Sequence, residues 1–155
     1  MPRHEQSDVS FDVPRHWEDK TLVAYASPPR DGQATAANLV MTRDALGDRE
    51  TLGDYADRQL AELARRLDGF ELVRREETTL GGLPAIVLRF GSRAAAGPLL
   101  QRLAVVEGRR RSVYCFTATT PKADAAQNDP LFDRILGTVR FPFAASDGDA
   151  EEAAQ

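Results

Sequence analysis

The strongest pattern of apolar and polar positions lies between Thr51 and Leu67, in the stretch TLGDYADRQLAELARRL. Apolar residues recur there three or four positions apart, which places them along one side of a helix. They are Leu52, Tyr55, Ala56, Leu60, Leu63, Ala64 and Leu67. Thr51 can accept from the first-turn amides, Asp54 gives a near-capping box, and Gly69 can end the helix. The stretch is therefore predicted to be an amphipathic helix that covers one face of a sheet.

Most of the other apolar residues alternate with polar ones or form short runs between turn-forming residues, as strands do. Strands are predicted at residues 9–13, 21–26, 37–43, 70–79, 84–90, 99–106 and 112–120. A second helix is predicted to have Asp129 as its cap, Pro130 at its first position and Gly137 near its end. Strands in hairpin order with two helices predict an α+β fold, in which the helices cover one face of a mostly antiparallel sheet.

The predicted strands carry apolar side chains on both of their faces. The clearest case is Leu99, Leu103 and Val105, which alternate with Leu100, Ala104 and Val106. An exposed sheet face is usually polar at every second position, and two modest helices can hardly cover two apolar faces. A second apolar surface is thus left for a subunit, a ligand or a peptide partner, unless loops and the N-terminal segment close it.

The length of 155 residues suits a single domain that buries its core without covalent staples. Residues 9–143 are predicted to form this domain, between a flexible N-terminus of residues 1–8 and a disordered acidic tail of residues 144–155. The formal net charge of -4 at pH 7 argues against general binding of nucleic acids.

Cysteine use and the absence of long apolar runs predict the compartment. Cys115 is the only cysteine, which excludes an internal disulfide and a Cys-rich metal site, and it reads as a small buried residue. The N-terminus lacks the apolar core of a signal peptide, and no apolar run is long enough to cross a bilayer. The protein is therefore expected to be soluble and cytoplasmic, without inserting into a membrane.

Few residue patterns in the chain support catalysis. The two histidines, His4 and His16, belong to no HExxH motif and no Cys–His arrangement, and no GxSxG motif is present. The turn at Gly81–Gly82 lacks the lysine of a phosphate loop. The basic run Arg109–Arg111 is typical of a solvated hairpin tip, with contact to phosphate or an acidic partner as the alternative. No enzyme activity, metal or cofactor is predicted.

Two glutamines and one tryptophan do not fit a plain apolar core. Gln59 lies beside the apolar stripe of the helix, close to Leu63, and Gln101 shares a strand face with Leu99. Each glutamine is either a half-buried residue at the edge of the core or a contact for a partner. Trp17 is predicted to anchor the rim of the core, with stacking on a ligand as the alternative.

The order of segments in the chain resembles that of a known family. The resemblance runs from about Phe11 to Phe141 and is carried by FDVPRHWEDKT, ANLVMTR, TLGDYADRQLAEL, GGLPAIVLRF, QRLAVV, VYCFTATTP and FDRILGTVRF. The chain resembles the DcrB-like family and, within it, the Eag-type chaperones of type VI secretion effectors. The DcrB branch is typically exported as a lipoprotein, so the missing signal sequence and lipobox cysteine favour the cytoplasmic chaperone branch.

This resemblance implies a PsbP-like fold and a homodimer whose concave apolar sheet surface shields the hydrophobic N-terminal transmembrane helices of an effector before export. In such chaperones, aliphatic side chains and a pair of glutamines line the groove that holds the client. The matching positions in this chain are Leu22, Ala24, Leu39, Gln59, Leu63, Leu99 and Gln101. A small-ligand-binding or assembly module of the same fold is the alternative function, and an enzyme with an unrecognised site is a third.

Overall fold

The computed structural model describes residues 3–5, 9–28 and 36–143. The helices and strands of this part are β1 Arg3–Glu5, β2 Ser10–Asp12, β3 Val23–Ala26, β4 Asn38–Ala45, α1 Leu52–Arg66, β5 Glu71–Leu80, β6 Leu83–Ala94, β7 Gly97–Glu107, β8 Ser112–Pro121 and α2 Ala125–Gly137. Six strands form one sheet in the order β3-β4-β8-β7-β6-β5, and every neighbouring pair is antiparallel. The predicted α+β fold with a mostly antiparallel sheet is confirmed.

The first two strands pair with each other and form a separate two-stranded sheet. The sequence predicted a flexible segment over residues 1–8, whereas the structure places Arg3–Glu5 opposite Ser10–Asp12. The predicted acidic tail of residues 144–155 lies outside the described residues, as does most of the turn-rich loop before β4.

The two helices lie on opposite faces of the six-stranded sheet. Tyr55 and Leu63 of α1 pack against the side of β7 that carries Leu103, and this side is called the α1 face. Phe132 of α2 packs with Ala118 on the other side, which is called the α2 face. The apolar pattern predicts both helices on one face, and this prediction is wrong. The arrangement differs because the strands are apolar on both faces, so one helix on each side buries more apolar surface than two on the same side.

The ends of α1 are set by residues close to it in sequence, as predicted. The Asp54 backbone amide donates to the Thr51 hydroxyl, and the Thr51 amide donates to the Asp54 carboxylate, both at 3.1 Å. These reciprocal bonds form a complete capping box. Gly69 follows the helix with a φ of 63°, a left-handed backbone that costs glycine little.

The second helix begins earlier than predicted, at Ala125 rather than after Asp129. Pro130 therefore lies inside the helix, and Asp129 does not act as its cap. Its carboxylate instead accepts from the guanidinium of Arg102 at 3.4 Å. The alanine- and glutamine-containing turn before Asp129 favours the helical state, which extends the helix toward the N-terminus.

Residues after α2 fold back onto the α2 face. Phe141 is buried, and its ring centroid lies 5.1 Å from that of Tyr114. Phe143 stacks against the same tyrosine, with 6.4 Å between the ring centroids. The expectation that Val139 to Phe143 lies back on the domain is thus confirmed, and this segment covers the part of the α2 face that α2 leaves open.

The prediction for Trp17 is wrong. Its side chain is 64% exposed, so it does not pack over the rim of the core. Its backbone amide donates to the carbonyl of Pro14 at 3.1 Å. This tight turn sets the direction of the chain locally, and apolar periodicity alone does not reveal it.

Candidate functional site

The α1 face carries a groove between the second half of α1 and strands β4, β7 and β8. Its volume is about 230 Å³. Gln59 and Leu63 of α1 form the wall, while Gln101 of β7 and Thr117 of β8 contribute to the floor. Gln59 and Gln101, which are far apart in the chain, therefore line the same groove.

The strand register explains why Gln101 lies on the groove floor. Gln101 is opposite Phe90 of β6 on one side and Thr119 of β8 on the other. Residues directly opposite each other in an antiparallel sheet point to the same face. Leu103, two positions on, packs against α1 from the same face. The prediction that Gln101 shares a face with Leu99 and Leu103 is confirmed by this register.

The amide of Gln101 is held by two hydroxyl groups from neighbouring strands. The Ser92 hydroxyl donates to Gln101 Oε1 at 2.9 Å. Gln101 Nε2 donates to the Thr119 hydroxyl at 3.1 Å. Both hydroxyl-bearing residues are buried, whereas Gln101 is half-buried. These bonds fix the glutamine side chain on the floor of the groove.

Gln59 on the groove wall is held much less firmly. It is half-buried and lies one helical turn before the buried Leu63. Within the part of the chain that the structure describes, its side-chain amide has no hydrogen-bond partner. The two glutamines that the sequence singled out thus share one groove, one preorganised and one available for bonding.

The other predicted positions divide between the two faces. Ala24 is opposite Val40 and shares the α1 face, and Leu99 is opposite Ser92 on that face. Leu22 precedes β3 and is 58% exposed. Leu39 belongs to the α2 face.

The position of Leu39 corrects its assignment to the groove lining. It is opposite Ala118 and packs against the cluster that contains Phe132. Successive side chains of a strand point to opposite faces, so its neighbour Val40 takes the place on the α1 face. The sequence showed that both neighbours are apolar, but it could not show which of them faces α1.

Several hydroxyl-bearing residues of the α1 face were not predicted. Thr42 and Thr117 line the groove, and Ser92 and Thr119 lie beside Gln101. The alternation of threonines in β8 was a usable signal, because Thr117 and Thr119 are two positions apart and share a face. Ser92 lay beyond the end of the predicted strand, so no pattern connected it with Gln101.

At one end of the groove, the buried side chains of Tyr55 and Cys115 meet the exposed carboxylate of Asp44. The Tyr55 hydroxyl donates to Asp44 at 2.7 Å and lies 3.3 Å from the Cys115 sulfur. Burial raises the pKa of the Cys115 thiol, and burial is also the main reason that the pKa of Tyr55 is raised. Both groups are therefore neutral at pH 7, and Cys115 is the buried residue that the sequence predicted, without the character of a reactive thiolate.

The basic run Arg109–Arg111 contributes to the packing between loops. Arg111 donates to the backbone carbonyl of Glu50 at 2.8 Å and also to that of Gly47. The guanidinium of Arg109 lies 5.0 Å from the ring centroid of Phe143. Arg110 is exposed, with a left-handed φ of 53°. Two of the three arginines thus hold the protein's own segments together.

Two further features bear on the function. Among the described residues, no group of three or more His, Cys, Asp or Glu side chains could hold a metal ion. No helix in the described ranges is both long and apolar enough to cross a membrane.

Comparison with known proteins identifies a family and a similar protein. The model of the DcrB family matches residues 8–138. A protein named effector EagT6 from Pseudomonas aeruginosa is 27% identical over 139 residues, covering 90% of this chain and 95% of that protein.

The chain is also similar to solved structures. The crystal structure of PA94 from Pseudomonas aeruginosa, a protein of unknown function, superposes with a TM-score of 0.74 and 27% identity, covering 90% of this chain and 95% of PA94. The solution structure of the cyanobacterial PsbP protein CyanoP from Synechocystis has a TM-score of 0.49 and 14% identity, covering 85% of this chain and 86% of CyanoP.

Proposed function

The chain belongs to the DcrB family, and on this premise we propose that it is a cytoplasmic chaperone or adaptor of a type VI secretion effector. In this proposal it binds and shields the hydrophobic N-terminal transmembrane helices of the effector before export. The similarity to effector EagT6 supports this branch of the family. The resemblance of the chain's segments to Eag-type chaperones supports it as well.

The observation that carries the proposal is the groove on the α1 face. A transmembrane helix in water exposes about 20 apolar residues, and covering that surface is worth roughly 25 cal/mol per Å². Leu63, Leu67 and Leu103 line the groove together with polar side chains, and Leu99 and Ala24 lie on the same sheet face beyond it. Burial of aliphatic surface is non-directional, so such a groove could accept helices of different sequence.

The glutamines would make the contact with the client directional, because they add hydrogen bonds to it. A helix of small residues exposes backbone carbonyls, and an amide can bond to these or to polar side chains of the client. Gln59 has its bonding capacity available on the wall, and Gln101 is held on the floor. In this proposal the exposed Leu22 adds apolar contact at the edge, while Leu39 supports the sheet from the other face.

A homodimer is part of the proposal. Strand β3 is an edge strand of four uncharged residues, VAYA, whereas the opposite edge strand β5 carries the charged run RREE. Exposed uncharged edges are prone to pair with another strand, and charged edges resist pairing. We therefore place the second copy at the β3 edge, where it would close the side of the groove that lies away from α1.

A small-ligand-binding module remains the alternative function. Pockets for drug-sized ligands usually enclose about 300 to 1,000 Å³. The groove, at about 230 Å³, is smaller than this range. The small volume favours an extended partner such as a helix, which need not fit entirely inside the groove.

Co-purification tests the proposal. The protein is co-expressed with a tagged effector segment that contains two hydrophobic helices, and retained chaperone is quantified after affinity purification. Wild type should be retained, and Gln59→Glu, which puts a charge on the half-buried groove wall and leaves the core intact, should be retained much less. Leu131→Asp on the exposed side of α2 is the matched control and should be retained. Equal retention of the two variants would contradict the proposal, and an organic molecule found in place of the segment by mass spectrometry would favour the alternative.

A further inference from the structure

The hydrogen bonds around Gln101 form a row that crosses three strands of the α1 face. Ser92 lies on β6, Gln101 on β7 and Thr119 on β8. The two bonds measure 2.9 Å and 3.1 Å, and the outer two residues are 5% and 9% exposed. Fixing a long glutamine side chain costs conformational entropy, which these bonds offset in the free protein.

The row leaves bonding capacity on the glutamine unused. A glutamine amide has two N–H donors and an oxygen with two lone pairs. One N–H and one lone pair are used by Thr119 and Ser92, so one of each remains within the described part of the chain. Exchanging the positions of the amide oxygen and nitrogen does not change this count. Because the amide is already fixed, less side-chain conformational entropy is lost when a partner bonds to it.

We propose that Ser92 and Thr119 are positioning residues, which hold the amide of Gln101 for one hydrogen bond to the client. This inference rests on the proposed function of the groove. It implies a preference for the client: an apolar helix with one hydrogen-bonding side chain near its middle should bind better than a uniformly aliphatic one. The uniformly aliphatic helix would bury the remaining N–H and lone pair without a partner, and this is costly.

Two synthetic peptides test the inference. Each contains about 20 leucine and alanine residues between lysine pairs, and one of them has a central asparagine. Binding to the full chain is followed by fluorescence anisotropy with labelled peptides. Wild type should bind the asparagine peptide about fivefold more tightly, as expected for one net hydrogen bond. Ser92→Ala and Thr119→Val should lose this preference while they still bind the all-aliphatic peptide.

Control variants separate positioning from general stability. Ser92→Thr and Thr119→Ser keep the hydroxyl groups and should keep the preference. Thr120→Val removes a hydroxyl that bonds to Asn128 at 2.8 Å on the α2 face, so it should lower the melting temperature without changing the preference. Wild type that binds both peptides equally, or a preference that survives in Ser92→Ala and Thr119→Val, would overturn this inference alone. Failure of wild type to bind either peptide would overturn the proposed function and this inference with it.

Discussion

At the scale of single residues, the two glutamines of the groove have the same chemistry but different surroundings. Gln101 bonds to two buried hydroxyl groups, whereas Gln59 has no hydrogen-bond partner among the described residues. Removing one partner from a buried polar group leaves the other unsatisfied, which costs more than the bond itself contributes. The same substitution should therefore affect the two positions differently.

Gln101→Leu should lower the free energy of unfolding by about 1 to 2 kcal/mol, because the hydroxyl groups of Ser92 and Thr119 lose their partner. Gln59→Leu should change it by less than about 0.5 kcal/mol, or raise it slightly, since leucine extends the apolar stripe of α1. Urea unfolding followed by circular dichroism measures both values. A larger loss for Gln59→Leu than for Gln101→Leu would contradict this account of the site.

The pair of Glu50 and Arg58 predicts a dependence of stability on pH. Two hydrogen bonds of 3.0 Å join the carboxylate to the guanidinium, and the bond from Arg58 is the main cause that lowers the pKa of Glu50 from 4.5 to about 2. A carboxylate with a lowered folded-state pKa stabilises the fold above its unfolded value, and the stabilisation is lost as pH falls toward the folded value. Wild type should thus lose its stability advantage over Glu50→Gln between about pH 4.5 and pH 2.

Melting curves of wild type and Glu50→Gln at a series of pH values provide the measurement. The two curves of stability against pH should converge in acid. Because other carboxylates titrate in both proteins, only the difference between them reports on Glu50. A difference that stays constant from pH 7 to pH 2.5 would show that the pair adds no pH-dependent stability.

At the scale of helices and strands, local signals were sufficient for some elements and not for others. Both ends of α1 could be predicted, because Thr51, Asp54 and Gly69 act on their own neighbours in the chain. The start of α2 could not, because Asp129 looks like a cap in sequence but bonds to Arg102 of β7. The choice of a sheet face for each helix likewise depends on residues far away in the chain, and local periodicity contains no information on it.

Arg102 shows what attaches α2 to its face of the sheet. Its side chain is buried, donates to Asp133 at 2.5 Å and lies 5.7 Å from the ring centroid of Phe132. Asp133→Ala should destabilise the protein by about 1 to 2 kcal/mol, because it leaves a buried guanidinium with a weaker partner. Arg102→Met removes the buried charge and keeps most of the volume, so it should cost less. Chemical denaturation gives the free energy of unfolding of both variants. A greater loss of this free energy for Arg102→Met than for Asp133→Ala would contradict this description of the contact.

At the scale of the whole molecule, the groove is a product of sheet order and register. Sequence reasoning identified the apolar character of both faces and the unusual placement of Gln59 and Gln101. It could not separate Leu39 from Val40, because a shift of one residue exchanges the faces of a strand. It also missed Ser92 and Thr119, which matter only because the order β8-β7-β6 brings them beside Gln101.

The proposed homodimer is a prediction about the whole molecule, and it concerns a surface other than the groove. Tyr25 on the β3 edge strand is 73% exposed, which suits a contact between copies at this edge. Light scattering during size exclusion should give twice the mass of the chain for wild type. Tyr25→Lys, which adds a charge to the edge, should shift the protein toward the monomer without lowering its helix and strand content. A monomer for wild type over a wide concentration range would contradict the dimer.

The central claim is that a hydrophobic client helix lies in the groove between α1 and the sheet. Site-specific photo-crosslinking tests it most directly. A photoreactive amino acid replaces Gln59 on the groove wall or, as a more accessible control, Leu131 on the outer side of α2. The account predicts a covalent adduct with the hydrophobic effector segment from position 59 and none from position 131. An adduct from position 131 without one from position 59 would place the client elsewhere and contradict the account.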